Sequence, residues 1–201
     1  MKFFNVHTHN LPHEDEVTIR VCGLHPWNVK EDWQKILGLF LGPLNFPGYS
    51  PPESLEAIGE CGLDKLCQTP YDLQLAAFKA QIIESERRRL PIILHCVRAQ
   101  DDAIKLKNGT HQAWVWHGFR GKPEQMQQLL DHGFYISFGL KYNEQSLVSC
   151  PSERLFLETD KEDVHIRKLY DEASQLRNTT IEALQEQVWT NADTLFANLR
   201  R

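Results

Sequence analysis

Six residues with metal-binding side chains fall at or beside the ends of short apolar segments. They are His7 and His9 in FFNVHTH, Glu60 in AIGE, His95 in PIILH, His117 in AWVWH and Asp160 in LFLETD. In a β-strand, residues i and i+2 point to the same face, so the imidazoles of His7 and His9 can converge on one ion. The set predicts a site for two divalent metal ions. Its histidines suit Zn²⁺, Mn²⁺, Fe²⁺ or Ni²⁺, whereas Mg²⁺ prefers more oxygen ligands.

Each of these residues alone has an ordinary structural explanation. His-x-His pairs arise often by chance, and a single His95 or His117 is typical of a hydrogen-bonded core histidine. A single Glu60 or Asp160 could cap a helix. Six ligand-type residues at the ends of five segments are much harder to reach by chance, and the joint pattern favours the metal site.

The apolar segments predict seven β-strands. Their ranges are Phe3–His7, Val17–Leu24, Leu55–Glu60, Pro91–Cys96, Ala113–His117, Phe134–Phe138 and Leu155–Thr159. Helical periodicity predicts helices over 29–41, 70–89, 123–132 and 180–199. Thr69 is the expected N-cap of the second of these helices, and the run from Thr179 to Glu182 is the expected capping box of the last.

Strands that alternate with helices are typical of an α/β fold with parallel strands, whose carboxyl ends meet at one mouth. A closed (β/α)8 barrel usually takes about 250 residues, and this chain has 201. Only ten residues, from Asn10 to Ile19, separate the first strand from the core of the second, which is too few for a helix and a crossover. We expect one domain over residues 1–201, a TIM-type barrel that is shortened or incomplete near its first βα unit. Residues 42–53, with four prolines, predict an irregular surface loop.

Composition excludes several classes of protein. A hydrophobic fraction of 41% and a charged fraction of 24% are typical of a globular chain. No apolar run approaches the roughly 20 residues of a membrane span, and MKFFNVHTHN does not have the pattern of a signal peptide. The net charge of −5 argues against a global positive field for duplex DNA. Five scattered cysteines without a CxxC pair predict reduced thiols in a cytoplasmic protein.

Taken together, the motifs resemble those of the TatD family of metal-dependent hydrolases, within the amidohydrolase-like barrels. The resemblance covers nearly the whole chain. It rests on the His7/His9 pair and on GLHPW, AIGECGLD, LPIILHC, HGFRG, GFYISFG, LFLETD and a closing N-x-x-x-L-F. It implies a compact bacterial branch of the family.

The resemblance also implies roles for the ligands. One ion would be held by His7, His9, Glu60 and Asp160. The second would be held by Glu60, His95 and His117, so that Glu60 bridges the two ions. Family members are divalent-metal DNases that often remove nucleotides from a 3′ end. The expected substrate is therefore a DNA end or single-stranded DNA, with no membrane and no obligate protein partner.

The chain departs from the family pattern at several positions. Asn5 stands where the family usually has Asp, which predicts weaker support behind the ligands. The family's Arg after HC is replaced by Val97, with Arg98 next. The ETD motif leads into Lys161-Glu162-Asp163 instead of Ala-Pro and a long loop, so the substrate pocket is expected to differ.

The ligands suggest a mechanism in which a metal pair supplies hydroxide at neutral pH. Asp160 and Glu60 are the expected catalytic residues, with Asp160 taking the proton of the attacking water. Arg98 and Arg120, with Lys122 beside the latter, are candidate phosphate contacts. His25 is a further candidate substrate contact, and Trp27 could serve either as a stacking surface or in packing. Asp64 could either brace a loop or touch substrate.

Two other functions compete with a DNase that cleaves phosphodiester bonds. The same metal pair would serve an amidohydrolase-type enzyme that cleaves an amide, ester or lactone of a small molecule. A degenerate, non-catalytic scaffold is a third possibility, although all six ligand positions are filled. A mouth lined by Arg98 and Arg120 favours the nuclease, and a closed apolar pocket favours the small-molecule enzyme.

Overall fold

The structure is a computed structural model and describes residues 1–41, 55–196 and 199. These residues form two compact units. The first unit comprises Met1–Ile19 and Val115–Arg201, and the second comprises Arg20–Trp114. The predicted loop over 42–53 lies outside the described residues. The expectation of one domain over the whole chain stays a prediction.

The strands of the described residues are short and pair in parallel. They are β1 (Phe3–Asn5), β2 (Glu16–Thr18), β3 (Val21–Cys22), β4 (Ala57–Asp64), β5 (Ile92–Val97), β6 (Trp114–Trp116), β7 (Tyr135–Phe138) and β8 (Leu155–Leu157). The parallel pairing confirms the α/β class. No helix lies between β1 and β2, as the ten-residue connection requires.

Seven α-helices accompany these strands in the described part of the chain. They are α1 (Trp33–Leu41), α2 (Tyr71–Arg88), α3 (Gln100–Lys107), α4 (Pro123–Asp131), α5 (Glu144–Ser149), α6 (Arg167–Leu176) and α7 (Ile181–Leu195). None of them is long and apolar enough to cross a bilayer. The predicted helices α1, α2, α4 and α7 are present, while α3, α5 and α6 were not predicted.

Several predicted boundaries are wrong. The strand expected over Val17–Leu24 is two strands, since β2 pairs with β1 and β3 pairs with β4. Helix α2 begins at Tyr71 with Pro70 as its N-cap, because Pro70 is extended and Thr69 uses its carbonyl to accept from Gln74. The N-cap of α7 is Thr180, one residue later than the predicted box, and its hydroxyl accepts from the Ala183 N–H.

In the first unit, helix α7 packs an aromatic core against β1 and β8. The Phe4 ring lies 5.2 Å from Trp189 and 5.9 Å from Phe196. The Asn191 amide donates to the carbonyls of Ser152 and Leu155, where β8 begins. The closing N-x-x-x-L-F motif therefore fixes the strand that leads to Asp160.

In the second unit, β4 runs past Glu60 to Asp64 and pairs with β5. The prediction that this strand ends at Glu60 is wrong, because Cys61, Gly62 and Leu63 continue the pairing after a register shift between Ile58 and Cys61. Gly62 has a φ of 146°, and a Cβ there would overlap the carbonyl oxygen of His95. Only glycine allows the two strands to approach so closely, and this approach brings Glu60 and His95 together.

Candidate metal-binding groups

The backbone of the first unit brings His7, His9 and Asp160 to one point. The Asp160 N–H donates to the His7 carbonyl at 3.1 Å, and the His9 N–H donates to the Asp160 carbonyl at 2.8 Å. Asp160 has a φ of 50°, a left-handed conformation that aspartate tolerates better than most residues. The backbone of Asp160, after β8, is thus hydrogen-bonded to both histidines that follow β1.

The side chains of these residues form a compact group. Asp160 Oδ1 lies 3.4 Å from His9 Nε2 and 3.8 Å from His7 Nε2. The His7 ring also lies 5.0 Å from the His9 ring and 4.8 Å from the His117 ring. His7 and His117 are buried, whereas His9 is exposed, so the group opens to solvent on the His9 side.

Asn5 supports this group from behind. Its amide donates to Thr159 Oγ1 at 2.9 Å, and its carbonyl oxygen accepts from the Thr159 N–H at 3.2 Å. The Thr159 hydroxyl then donates to Thr8 Oγ1 at 3.0 Å. An amide both donates and accepts here, so Asn5 ties the residue before Asp160 to β1 without a buried charge.

His117 is oriented by Glu158, a fully buried carboxylate that the sequence analysis missed. His117 Nδ1 lies 3.1 Å from Glu158 Oε1, and the Ser137 hydroxyl donates to Glu158 Oε2. Burial acts to raise the pKa of Glu158, but the charge and hydrogen bond of His117 hold that pKa below its usual range. An ionised Glu158 accepts the Nδ1 proton of His117 and so leaves Nε2 as the ring's lone-pair donor.

The second unit holds its own group, formed by His25, Glu60 and His95. Glu60 Oε1 lies 2.7 Å from His95 Nδ1 and 3.2 Å from His25 Nε2. The His25 and His95 rings are 4.4 Å apart. His25, expected as a substrate contact, is therefore in contact with a predicted metal ligand.

Two further contacts define this group. The Trp27 N–H donates to His25 Nδ1 at 3.1 Å, so the proton of a neutral His25 lies on Nε2 and is directed at Glu60. His95 Nε2 lies 3.2 Å from Asp64 Oδ2. Burial acts to raise the pKa of Asp64, but hydrogen bonds from the Trp27 indole, the Leu66 N–H and His95 hold it below the usual range.

Two buried glutamines of α2 hold the backbone beneath this group. Gln81 accepts the Leu24 N–H at 2.7 Å and donates to the Leu24 carbonyl at 3.1 Å. Gln74 does the same for Asp64, at 2.8 and 3.0 Å. One helix thus fixes both the residue before His25 and the last residue of β4.

The candidate phosphate contacts are less defined. Arg98 and Arg120 are both exposed, and Arg98 has a φ of 53°. At the start of α4 the Lys122 N–H donates to Gln125 Oε1 at 3.0 Å, so this backbone donor is already used. Substrate binding by His25, Arg98 and Arg120 stays a prediction.

The cysteines beside the ligands are not part of either group. All five cysteines are free in the structure. Burial raises the pKa of the Cys61 thiol and raises that of Cys96 to about 12. Both are therefore protonated at neutral pH and act in packing, as predicted.

Each group contains candidate ligands for a divalent cation, and in the second group these are Glu60 and His95, because the Nε2 proton of His25 is directed at Glu60. In His7, His9 and Asp160, and again in His25, Glu60 and His95, one ligand atom per residue lies within 4.8 Å of the others. Ligand atoms around one ion are about 3 to 4 Å apart at metal–ligand distances near 2 Å. The groups are thus close to the spacing of a coordination sphere, and both mix imidazole with carboxylate.

Comparison with known proteins identifies the family. The family model for TatD related DNase matches residues 5–197. The chain belongs to the TatD-related DNase family. This confirms the resemblance drawn from the sequence motifs, and with it the expectation of a TatD-type hydrolase at the level of the family.

Three relatives show the extent of the similarity. A TATDN1 homolog of Enterocytozoon bieneusi is 32% identical over 162 residues, which cover 76% of this chain and 59% of the relative. The 3′-5′ ssDNA/RNA exonuclease TatD of Klebsiella pneumoniae is 35% identical, over 61% of this chain and 51% of that protein. YabD of Bacillus subtilis, named as a metal-dependent hydrolase, is 28% identical over 73% of this chain and 67% of that protein. The chain thus spans only about half to two thirds of these TatD relatives.

Solved structures confirm the TIM-barrel type of fold. A TatD family hydrolase of Entamoeba histolytica superposes with a TM-score of 0.71 at 22% identity, covering 90% of this chain and 75% of that one. YJJV, a TatD homolog of Escherichia coli K12, gives a TM-score of 0.67 at 21% identity, covering 92% of this chain and 78% of that one.

Glu158→Gln tests how the candidate ligand His117 is oriented. We expect metal affinity to fall by about 10- to 100-fold, the usual effect of removing a carboxylate behind a metal-bound histidine. Competition with a chelating dye measures the affinity, and circular dichroism checks the fold. The matched control is Ser137→Ala, which removes the other partner of the carboxylate and should leave the affinity within about threefold. Equal affinities of Glu158→Gln and the wild-type protein would contradict the role.

Proposed function

We propose that this chain is a divalent-metal-dependent phosphodiesterase that removes nucleotides from the 3′ end of single-stranded DNA. The observation that carries the proposal is the presence of two groups of histidine and carboxylate ligands, one in each unit, in a chain of the TatD-related DNase family. Relatives named as 3′-5′ ssDNA/RNA exonucleases support the choice of substrate.

His7, His9 and Asp160 would hold one ion, and Glu60 and His95 would take part in holding a second. His117 is a further proposed ligand through Nε2, because Glu158 engages its other nitrogen. A bound divalent cation supplies Lewis acidity, which lowers the pKa of water and offsets negative charge on a phosphate. Mixed nitrogen and oxygen donors suit Mn²⁺, Zn²⁺, Fe²⁺ or Ni²⁺ better than Mg²⁺.

The remaining steps belong to side chains of this chain. Asp160 would accept the proton of the attacking water, since its carboxylate is partly open to solvent. Glu60 Oε1 is held in position between His25 Nε2 and His95 Nδ1. Arg98 and Arg120, both solvent-exposed, would contact phosphates of the substrate.

The test is hydrolysis of a 5′-labelled single-stranded DNA oligonucleotide with Mn²⁺ or Mg²⁺, compared with EDTA and with Glu60→Ala. We expect a ladder that shortens from the 3′ end and is lost in both controls. An RNA oligonucleotide of the same sequence tests whether the enzyme distinguishes deoxyribose from ribose. A 3′-labelled DNA tests from which end the nucleotides are removed. The ratio of bound metal to protein tests the number of ions.

An intact oligonucleotide with every metal, despite a folded and metal-loaded protein, would overturn the proposal. A screen of esters, amides, lactones and phosphate esters would then find the small-molecule hydrolase. Failure to bind any metal would instead favour the non-catalytic scaffold.

A further inference from the structure

Trp27 is an exposed aromatic residue beside the His25–Glu60–His95 group. It follows His25 in a single 3₁₀ turn, Pro26–Asn28, in which Pro26 is buried and Trp27 is directed outward. The Trp27 residue is 54% exposed, although a tryptophan usually buries most of its area. Its ring centroid lies 4.9 Å from that of His25 and 6.0 Å from that of His95.

The exposed ring is held in one orientation. The indole N–H donates to Asp64 Oδ2 at 2.7 Å, and the Trp27 backbone N–H donates to His25 Nδ1. Asp64 is itself buried and fixed by Gln74 of α2. Because Trp27 is anchored at both backbone and side chain, a ligand that stacks on it would lose little entropy in ordering it.

The surroundings of the ring suit the edge of a nucleic-acid site. Asp64 Oδ1 also accepts the N–H of Leu66, whose side chain is 61% exposed. The carboxylate that contacts His95 thus holds the indole of Trp27 and the backbone of the exposed Leu66. An aromatic face next to a phosphate-cleaving group can stack a base of any sequence, because every base has a π-face.

We propose that Trp27 is a stacking platform for a nucleobase adjacent to the scissile phosphodiester bond. The inference rests on the proposed function and deepens it, because it assigns recognition of the base to this residue and leaves the phosphate to other groups. The alternative is a purely structural role, in which the Trp27 ring would serve only to position Asp64.

Equilibrium binding tests the platform without requiring turnover. A short labelled oligothymidylate with non-hydrolysable linkages, and an all-abasic backbone of the same length and linkages, are titrated with metal-loaded protein and followed by fluorescence anisotropy. We expect wild-type protein to prefer the oligothymidylate, and Trp27→Ala to weaken its binding by roughly tenfold or more while abasic binding stays the same. In the cleavage assay the same variant should raise KM with kcat changed less than about threefold.

Trp27→Phe distinguishes stacking from support of Asp64. Phenylalanine retains an aromatic ring but has no N–H, so a stacking role predicts oligothymidylate binding within about threefold of wild type. If the tryptophan acts only through Asp64, Trp27→Phe and Trp27→Ala will be equally impaired, and the inference is wrong. Ile83→Ala is the control, because it removes another exposed apolar side chain of the second unit. It should leave the binding constants for the oligothymidylate and for the abasic backbone unchanged.

The remaining outcomes are also decisive. Equal binding by Trp27→Ala and wild type, or no preference of the wild-type protein for bases over the abasic backbone, overturns the platform. An oligonucleotide that binds in a Trp27-dependent way but is never cleaved supports the platform and overturns the proposed nuclease function.

Discussion

Asp160→Asn is expected to lower kcat for oligonucleotide cleavage by at least about 100-fold, the lower end of what a general base contributes. The amide keeps the size of the side chain, but it cannot accept the proton of the attacking water. It also removes the negative charge that lies 3.4 Å from His9 Nε2 and 3.8 Å from His7 Nε2. Weaker metal binding should accompany the loss of turnover.

The measurement is kcat across a metal titration, with metal occupancy followed in parallel. Recovery of near-normal turnover once excess metal restores occupancy would limit Asp160 to a ligand role and contradict its role as a base. Asp163→Asn makes the same chemical change on an exposed residue of the same segment and should leave kcat unchanged.

Glu60→Gln is expected to abolish detectable cleavage and to reduce the metal content of the protein. Oε1 of Glu60 is the common partner of His25 and His95, so neutralising it removes the carboxylate that joins the two histidines. The affinity should fall by more than the roughly 10- to 100-fold that partners behind a ligand contribute. Metal analysis after dialysis and the oligonucleotide assay measure the two effects.

Glu31→Gln is the matched control for this change, because Glu31 is an exposed glutamate of the same unit. A melting temperature close to that of wild type would show that Glu60→Gln still folds. Full metal occupancy together with wild-type cleavage in that folded variant would remove Glu60 from the proposed site.

The identity of the candidate ligands could be predicted because residue type and strand position both appear in a linear sequence. His7 and His9 alternate on one strand, and Asp160 follows another apolar strand. Their convergence depends on hydrogen bonds between β1 and the end of β8, which are more than 150 residues apart in the chain. The sequence pattern indicates such a contact only through the general rule that parallel strands end on one side.

The supporting residues were harder to predict because their role depends on partners that are distant in sequence. Glu158 was counted as part of a strand, and only the structure shows that its partner is His117, 41 residues earlier. A glutamate inside the apolar segment LFLETD was the available signal, since a buried carboxylate needs a partner. The amide of Asn5 makes two hydrogen bonds to Thr159, and weaker support behind the ligands stays a prediction.

The helices that were missed have a different explanation. The N-cap residues of α3 and α6 are Ala99 and Ile166, and neither makes a side-chain capping hydrogen bond. The N-cap signal was therefore absent from both helices, although Asp101 and Asp102 in the first turn of α3 were an available start signal. Helix α6 buries Leu169, Tyr170 and Ala173, which follow Ile166 at i+3, i+4 and i+7, so its apolar periodicity was a signal that the sequence offered.

The two glutamines of α2 have a consequence for how the second unit opens. The amide protons of Leu24 and Asp64 are bonded to side chains of one helix, not to neighbouring strands. When α2 detaches in a local fluctuation, both amides lose their acceptors in the same event and become exchangeable together. The loop that carries Trp27 and the strand end that carries Asp64 thus form one cooperative unit with α2, although about 40 residues separate them in the chain.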